Sequence, residues 1–144
     1  MGKDFDSDIV ETIEKLKSCR DVQEALQMVK QQLPDIIEIQ KELALIEAPT
    51  FHEEKKARRY AQLLTEAGLE EVKIDKHFNV WGRWPGVGKT GKSVLLEGHL
   101  DTVFSFGDVK DLKVDDEGRI HCPGICDDTR AIAANLSVLK AFKT

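Results

Sequence analysis

Apolar residues recur at helical spacing through the first third of the chain. Ile9, Ile13 and Leu16 keep that spacing, and after a break near Cys19 the series Val22, Ala25, Leu26, Val29 and Leu33 resumes it. The pattern predicts two amphipathic helices or one broken one. Asp21 with Glu24 forms a capping-box signature that favours a fresh start after the break. Pro34 suits a first helical turn, and Ile36, Ile37, Ile39, Leu43 and Ile46 predict a further helix that ends before Pro49. Thr50 and Glu53 form a second capping-box signature ahead of Ala57, Tyr60, Ala61, Leu64 and Ala67, and Gly68 supplies the stop.

Beyond Gly68 the period shortens to that of strands. Residues 70–75 alternate charged and apolar side chains, residues 79–84 form a second short run with Trp81 and Trp84 expected on one face, and residues 112–120 read as a hairpin turning at 115–118. Val94-Leu95-Leu96 runs directly into Gly98-His99-Leu100-Asp101. Three consecutive apolar residues predict a strand buried on both faces, with functional groups at its carboxyl end. The last element, residues 131–142, is a helix so rich in Ala, Ile, Leu, Val and Phe that it should be covered on most sides. Helices leading into strands and closing on a helix define an α/β class, with part of a mixed sheet.

Composition narrows the partners. The 144 residues carry 21 Lys and Arg against 26 Asp and Glu, for a net charge of −5. A chain of that size can build a core. No apolar run approaches the ~20 residues of a membrane span, and a mildly acidic balance lacks the clustered cations that neutralise phosphates, so neither membrane nor nucleic acid is an expected partner. The start, Met1-Gly2-Lys3-Asp4-Phe5-Asp6, has acids where a signal peptide needs a basic and then an apolar region. Cys19, Cys122 and Cys126 are an odd count without framework spacing, which fits reduced thiols and a cytoplasmic location.

Two motifs compete for the chemistry. Gly86-Val87-Gly88-Lys89-Thr90-Gly91-Lys92-Ser93 satisfies the phosphate-loop pattern letter for letter. That mechanism needs a helix directly after the loop, so that its first amides meet the phosphates. The next residues are instead Val94-Leu95-Leu96-Glu97-Gly98, a strand-like run, and a turning loop on the surface is the plainer reading. The second motif is His99-Leu100-Asp101 together with Asp127-Asp128 at the start of the last helix. In an extended segment His99 and Asp101 project to one side, so the carboxylate can orient the imidazole, and Asp127 can add an oxygen ligand from another element. His121, Cys122 and Cys126 make at most a partial zinc set, and the two cysteines read as small packing residues.

The second pair of motifs resembles a known family. Val94-Leu95-Leu96-Glu97-Gly98-His99-Leu100-Asp101-Thr102-Val103 resembles the first signature of the aminoacylase, acetylornithine deacetylase, succinyl-diaminopimelate desuccinylase and glutamate carboxypeptidase family of di-zinc hydrolases. Pro123-Gly124-Ile125-Cys126-Asp127-Asp128-Thr129-Arg130 is similar to its Gly-x-x-Asp-Asp block, while Ala48-Pro49-Thr50-Phe51-His52-Glu53-Glu54 and Asn79-Val80-Trp81-Gly82 are similar to weaker landmarks. The resemblance implies that His99 ligates one zinc, Asp127 bridges two, Asp101 is the carboxylate acting on His99, and Asp128 supports them. It also implies a cis peptide between Asp127 and Asp128, with cobalt or manganese as alternative metals.

The chain departs from the family's Lys-Gly after the paired aspartates, having Thr129-Arg130-Ala131 instead. The family's catalytic Glu-Glu pair and later ligands do not occur in residues 128–144. The expectation is therefore a helical region at 1–50 and, at 51–144, the first part of a catalytic domain from a larger enzyme. The rest of that domain and the smaller dimerisation domain would lie elsewhere, giving a homodimeric parent and a chain inactive alone. The implied substrate is a small peptide or N-acyl amino acid. The alternatives are a nucleotide-binding module built on residues 86–93 and a non-catalytic interaction fragment.

Overall fold

A computed structural model describes residues 5–86 and 91–142, with the side chains of residues 5 and 6 excluded. Helices α1 (Phe5–Ser18) and α2 (Arg20–Gln31) meet at Cys19, which is extended at ψ 129, so the break read in the sequence is a real change of direction. Neither capping-box signature forms. Cys19 and Glu53 occupy the N-cap positions without a side-chain cap bond, and Glu24 instead pairs with Arg20 at 2.7 Å. Helix α3 (Leu33–Ala44) starts on Pro34 as the sequence requires, and α4 (Glu54–Ala67) stops at Gly68 in the left-handed conformation (φ 94).

Strands β1 (Glu70–Ile74) and β2 (Val80–Arg83) pair antiparallel, with a bulge between Glu70 and Lys73 where Glu71 takes a positive φ of 53°. Trp81 and Trp84 do not share a face. Their odd spacing alternates them: the exposed Trp81 ring lies under Lys73 Nζ at 5.0 Å, and Trp84 is half-buried beyond the end of β2. A second hairpin, β3 (Lys113–Val114) with β4 (Ile120–His121), turns at 115–118 as expected, fastened by the Asp115 carboxylate accepting from Glu117 N and Arg119 N.

Residues 91–100 carry no strand, which corrects the expectation for Val94-Leu95-Leu96. A strand is defined by ladder partners, and among the described residues the only pairing nearby is a parallel bridge between Pro49 and Thr102. Val94 and Leu95 are accordingly 87% and 80% exposed.

The core lies between helices. Ile36 and Leu43 of α3, Tyr60, Leu63 and Leu64 of α4, and Ile132 and Leu136 of α5 (Thr129–Ala141) form one buried cluster, onto which Val72 and Val80 of the first hairpin pack. Helix α5 is covered on most sides, as its composition demands. The Tyr60 hydroxyl donates to Ile132 O at 2.9 Å and ties α4 to the first turns of α5. No described helix is long and apolar enough to cross a membrane.

Candidate functional site

Three separate stretches converge at the N-terminus of α5. Residues 97–102 have irregular backbone but are held on two sides. Asn135 of α5 donates to Glu97 O at 3.3 Å, and Asp128 Oδ2 accepts from His99 N at 3.0 Å. On the far side Thr102 N donates to Ala48 O at 2.8 Å. Gly98 is the residue that lets the segment approach α5, because a Cβ there would sit 2.8 Å from both Asp128 Oδ2 and Ile132 Cγ2. Gly124, at φ 72, plays the same part for the third stretch: a Cβ there would meet Thr102 Cγ2 at 2.8 Å. Gln40 of α3 donates to Ile125 O at 2.7 Å and anchors that loop from below.

At this junction His99 Nδ1 lies 2.9 Å from the Asp101 backbone oxygen and 3.2 Å from Asp101 Oδ1. A carbonyl oxygen can only accept, so Nδ1 carries the proton. His99 Nε2 then faces Asp127 Oδ1 at 3.0 Å. In the neutral ring Nε2 is also an acceptor, so two acceptors look at each other across a gap that a proton or a cation must bridge. Burial lowers the proton affinity of His99, but the acceptors offered to the protonated ring by the Asp127 carboxylate and the Asp101 backbone oxygen, with the charges of Asp101 and Asp128, outweigh it, and its pKa lies above the usual value. The Thr50 hydroxyl, donating to Asp101 Oδ2 at 2.7 Å, is the main cause that holds the Asp101 carboxyl below the ordinary range, against some burial and with help from His99. The Asp127–Asp128 peptide is cis, as the resemblance implies.

The structure thus brings His99, Asp101, Asp127 and Asp128 together. Asp127 stands in solvent with its side chain 91% exposed, while Asp128 turns back to hold the His99 backbone. Beside them opens a groove of about 350 Å³ lined by His99, Asp101, Phe104, Cys122, Cys126 and Asp127, a size suited to a small ligand. Cys122, half-buried, points its thiol at Ala44 O at 3.9 Å, and Cys126 is exposed, which corrects its reading as a packing residue. His121 pairs with Asp115 at 2.9 Å and takes no part in the site. Among the described residues no group of three or more His, Cys, Asp or Glu converges to hold a metal ion. His99 and Asp127 bring two donor atoms face to face, where a catalytic zinc takes three from the protein.

Sequence reasoning missed Thr50, Gln40 and Asn135. Thr50 was legible as a helix cap and within a weak family landmark, neither of which pointed to Asp101, and the other two carry no local signal, since each acts on backbone far away in the chain. In the phosphate-loop pattern Val87, Gly88, Lys89 and Thr90 lie outside the described residues, and residues 91–100 contain no helix to receive a phosphate.

The fold presents a His-x-Asp segment to a helix start at paired aspartates, and the comparison with protein families matches the same segment. Residues 95–144 match the model of peptidase family M20/M25/M40. The matched segment contains the His-x-Asp motif and the paired aspartates, so the resemblance read from them is supported over that segment. The weaker landmarks at 48–54 and 79–82 fall outside the matched residues. No curated protein matches the chain.

Proposed function

We propose that this chain supplies one side of the metal centre of a hydrolase that cleaves an amide bond in a small peptide or N-acyl amino acid. The observation that carries the reading is the facing pair of His99 Nε2 and Asp127 Oδ1, 3.0 Å apart at the mouth of the groove. The family match, whose members generally bind metals, supports it.

His99 would hold one ion through Nε2, and Asp127, exposed and free to turn, would bridge two. Zinc suits this nitrogen and oxygen pair, with cobalt or manganese as alternatives. When bound, the metals supply a Lewis acid for the amide carbonyl and lower the pKa of coordinated water towards neutrality. The remaining work belongs to the chain. Asp101 keeps the proton of His99 on Nδ1 and so leaves Nε2 as a ligand, and Asp128 fixes the backbone that carries the ring. Neither Asp101, committed to His99 and Thr50, nor a metal-held Asp127 is free to serve as the base, so turnover needs a further carboxylate outside this set. The same proposal takes residues 51–144 as the first part of the catalytic domain of a homodimeric parent. Three free cysteines suit a cytoplasmic setting.

Calorimetric titration of the chain with zinc near neutral pH tests the reading. His99→Ala and Asp127→Ala should each weaken uptake at least about tenfold, while His121→Ala should leave it unchanged. Equal uptake by all of these variants would overturn the assignment.

A further inference from the structure

Thr50 carries a helix-capping signature in the sequence, but the N-cap of α4 is Glu53 and Thr50 does not cap. Helix α4 begins with no side-chain cap bond, and the Thr50 hydroxyl reaches across 51 positions of sequence to Asp101. The backbone around it is shaped for that reach. Pro49 and Thr102 form a parallel bridge, and Thr102 N donates to Ala48 O at 2.8 Å, so residues 48–50 run alongside 101–102. Directly after Thr50 the chain turns at Phe51, a non-glycine residue at φ 70 whose N–H is taken up by Glu53 Oε1 at 2.7 Å. Phe51 is 85% exposed, so no burial of its own ring maintains this unfavourable backbone conformation.

A carboxylate beside an imidazole can rotate about its Cβ–Cγ bond. With Oδ2 engaged by the Thr50 hydroxyl at 2.7 Å, Asp101 is left with Oδ1 facing His99 Nδ1 at 3.2 Å. That orientation adds a second acceptor to the Asp101 backbone oxygen, 2.9 Å from Nδ1, and together they keep the proton on Nδ1 and the Nε2 lone pair toward Asp127. We propose that Thr50 is a positioning residue for the metal centre, acting through Asp101 to hold His99 in its ligand tautomer and orientation. This inference rests on the proposed metal-centre reading.

The test uses the metal-free chain labelled with 15N-histidine at about pH 9, where an imidazole is neutral, and a zinc titration of the same samples. Wild type should show His99 protonated on Nδ1. Thr50→Val, which keeps the shape and removes the donor, should populate the other tautomer and weaken zinc uptake about tenfold, and Thr50→Ser should restore both. The tautomer decides the role of Thr50: an Nε2-protonated ring in wild type, or a ring that Thr50→Val leaves unchanged, overturns it. The titration decides the reading beneath it. A wild-type chain that takes up no zinc while its tautomer still depends on residue 50 would remove the metal and leave the positioning role standing.

Discussion

Lys56 carries its ammonium on a side chain that is only 1% exposed, on the inner face of α4. Burial disfavours the charged form and lowers its pKa, with the negative charge of Asp101 the principal opposing influence. Below the folded pKa both states hold the proton and the native state bears the full desolvation cost. Between the folded pKa and the unfolded value of 10.5 the unfolded chain binds more protons, so stability rises with pH through that window. Lys56→Met should therefore stabilise the chain by about 1 kcal/mol or more near neutral pH. Denaturant unfolding at several pH values should show that advantage shrink towards 10.5. An advantage independent of pH would mean that packing rather than charge accounts for it.

Among the elements, α5 does most to organise the site. Its first turn begins at the paired aspartates, its Asn135 holds the segment before His99, and its Ile132 lies 1% exposed against Gly98 and in the core at once. The contact at Gly98 leaves no room for a methyl group. Gly98→Ala should push the His-x-Asp segment away from Asp128 and cost about 1–3 kcal/mol. Denaturant unfolding measures the cost, and a neutral substitution would show that this approach is looser than the 2.8 Å contacts indicate. Much of this element was legible, because a run of apolar residues from Ala131 to Phe142 forms a helix and seeks cover by local composition alone. The hairpin at 112–120 was legible from its turn at Asp115 to Gly118, and the strands of the other from their short runs, whereas the pairing of β1 with β2 came only with the structure. Thr50 and Asp21 were misread as caps because a capping signature weighs only the next turn of chain, whereas Thr50 finds a better partner in Asp101.

At the scale of the whole molecule, much apolar surface faces solvent around the site. Val103 is 92% exposed, Val94 and Leu95 nearly as much, and Phe106 and Phe51 lie on neighbouring loops. Patches of this kind bind apolar dyes and promote association. The chain should enhance anilinonaphthalene sulfonate fluorescence in its folded state, and Leu95→Lys with Val103→Lys should reduce that enhancement by roughly half. A folded chain that leaves the dye dark would show these side chains to be covered.

From the sequence alone came the helix periods, the hairpin at 112–120, the α/β class and the pairing of a His-x-Asp motif with two consecutive aspartates. These depend on propensities and spacings that act within a turn or a strand. The tertiary structure decided which oxygen of Asp101 meets Thr50, why Gly98 and Gly124 are glycines, that Lys56 is buried, and that Val94-Leu95-Leu96 is unpaired. Each of those depends on what arrives from a distant part of the chain, and a hydrogen bond or a ladder exists only when its partner is in place.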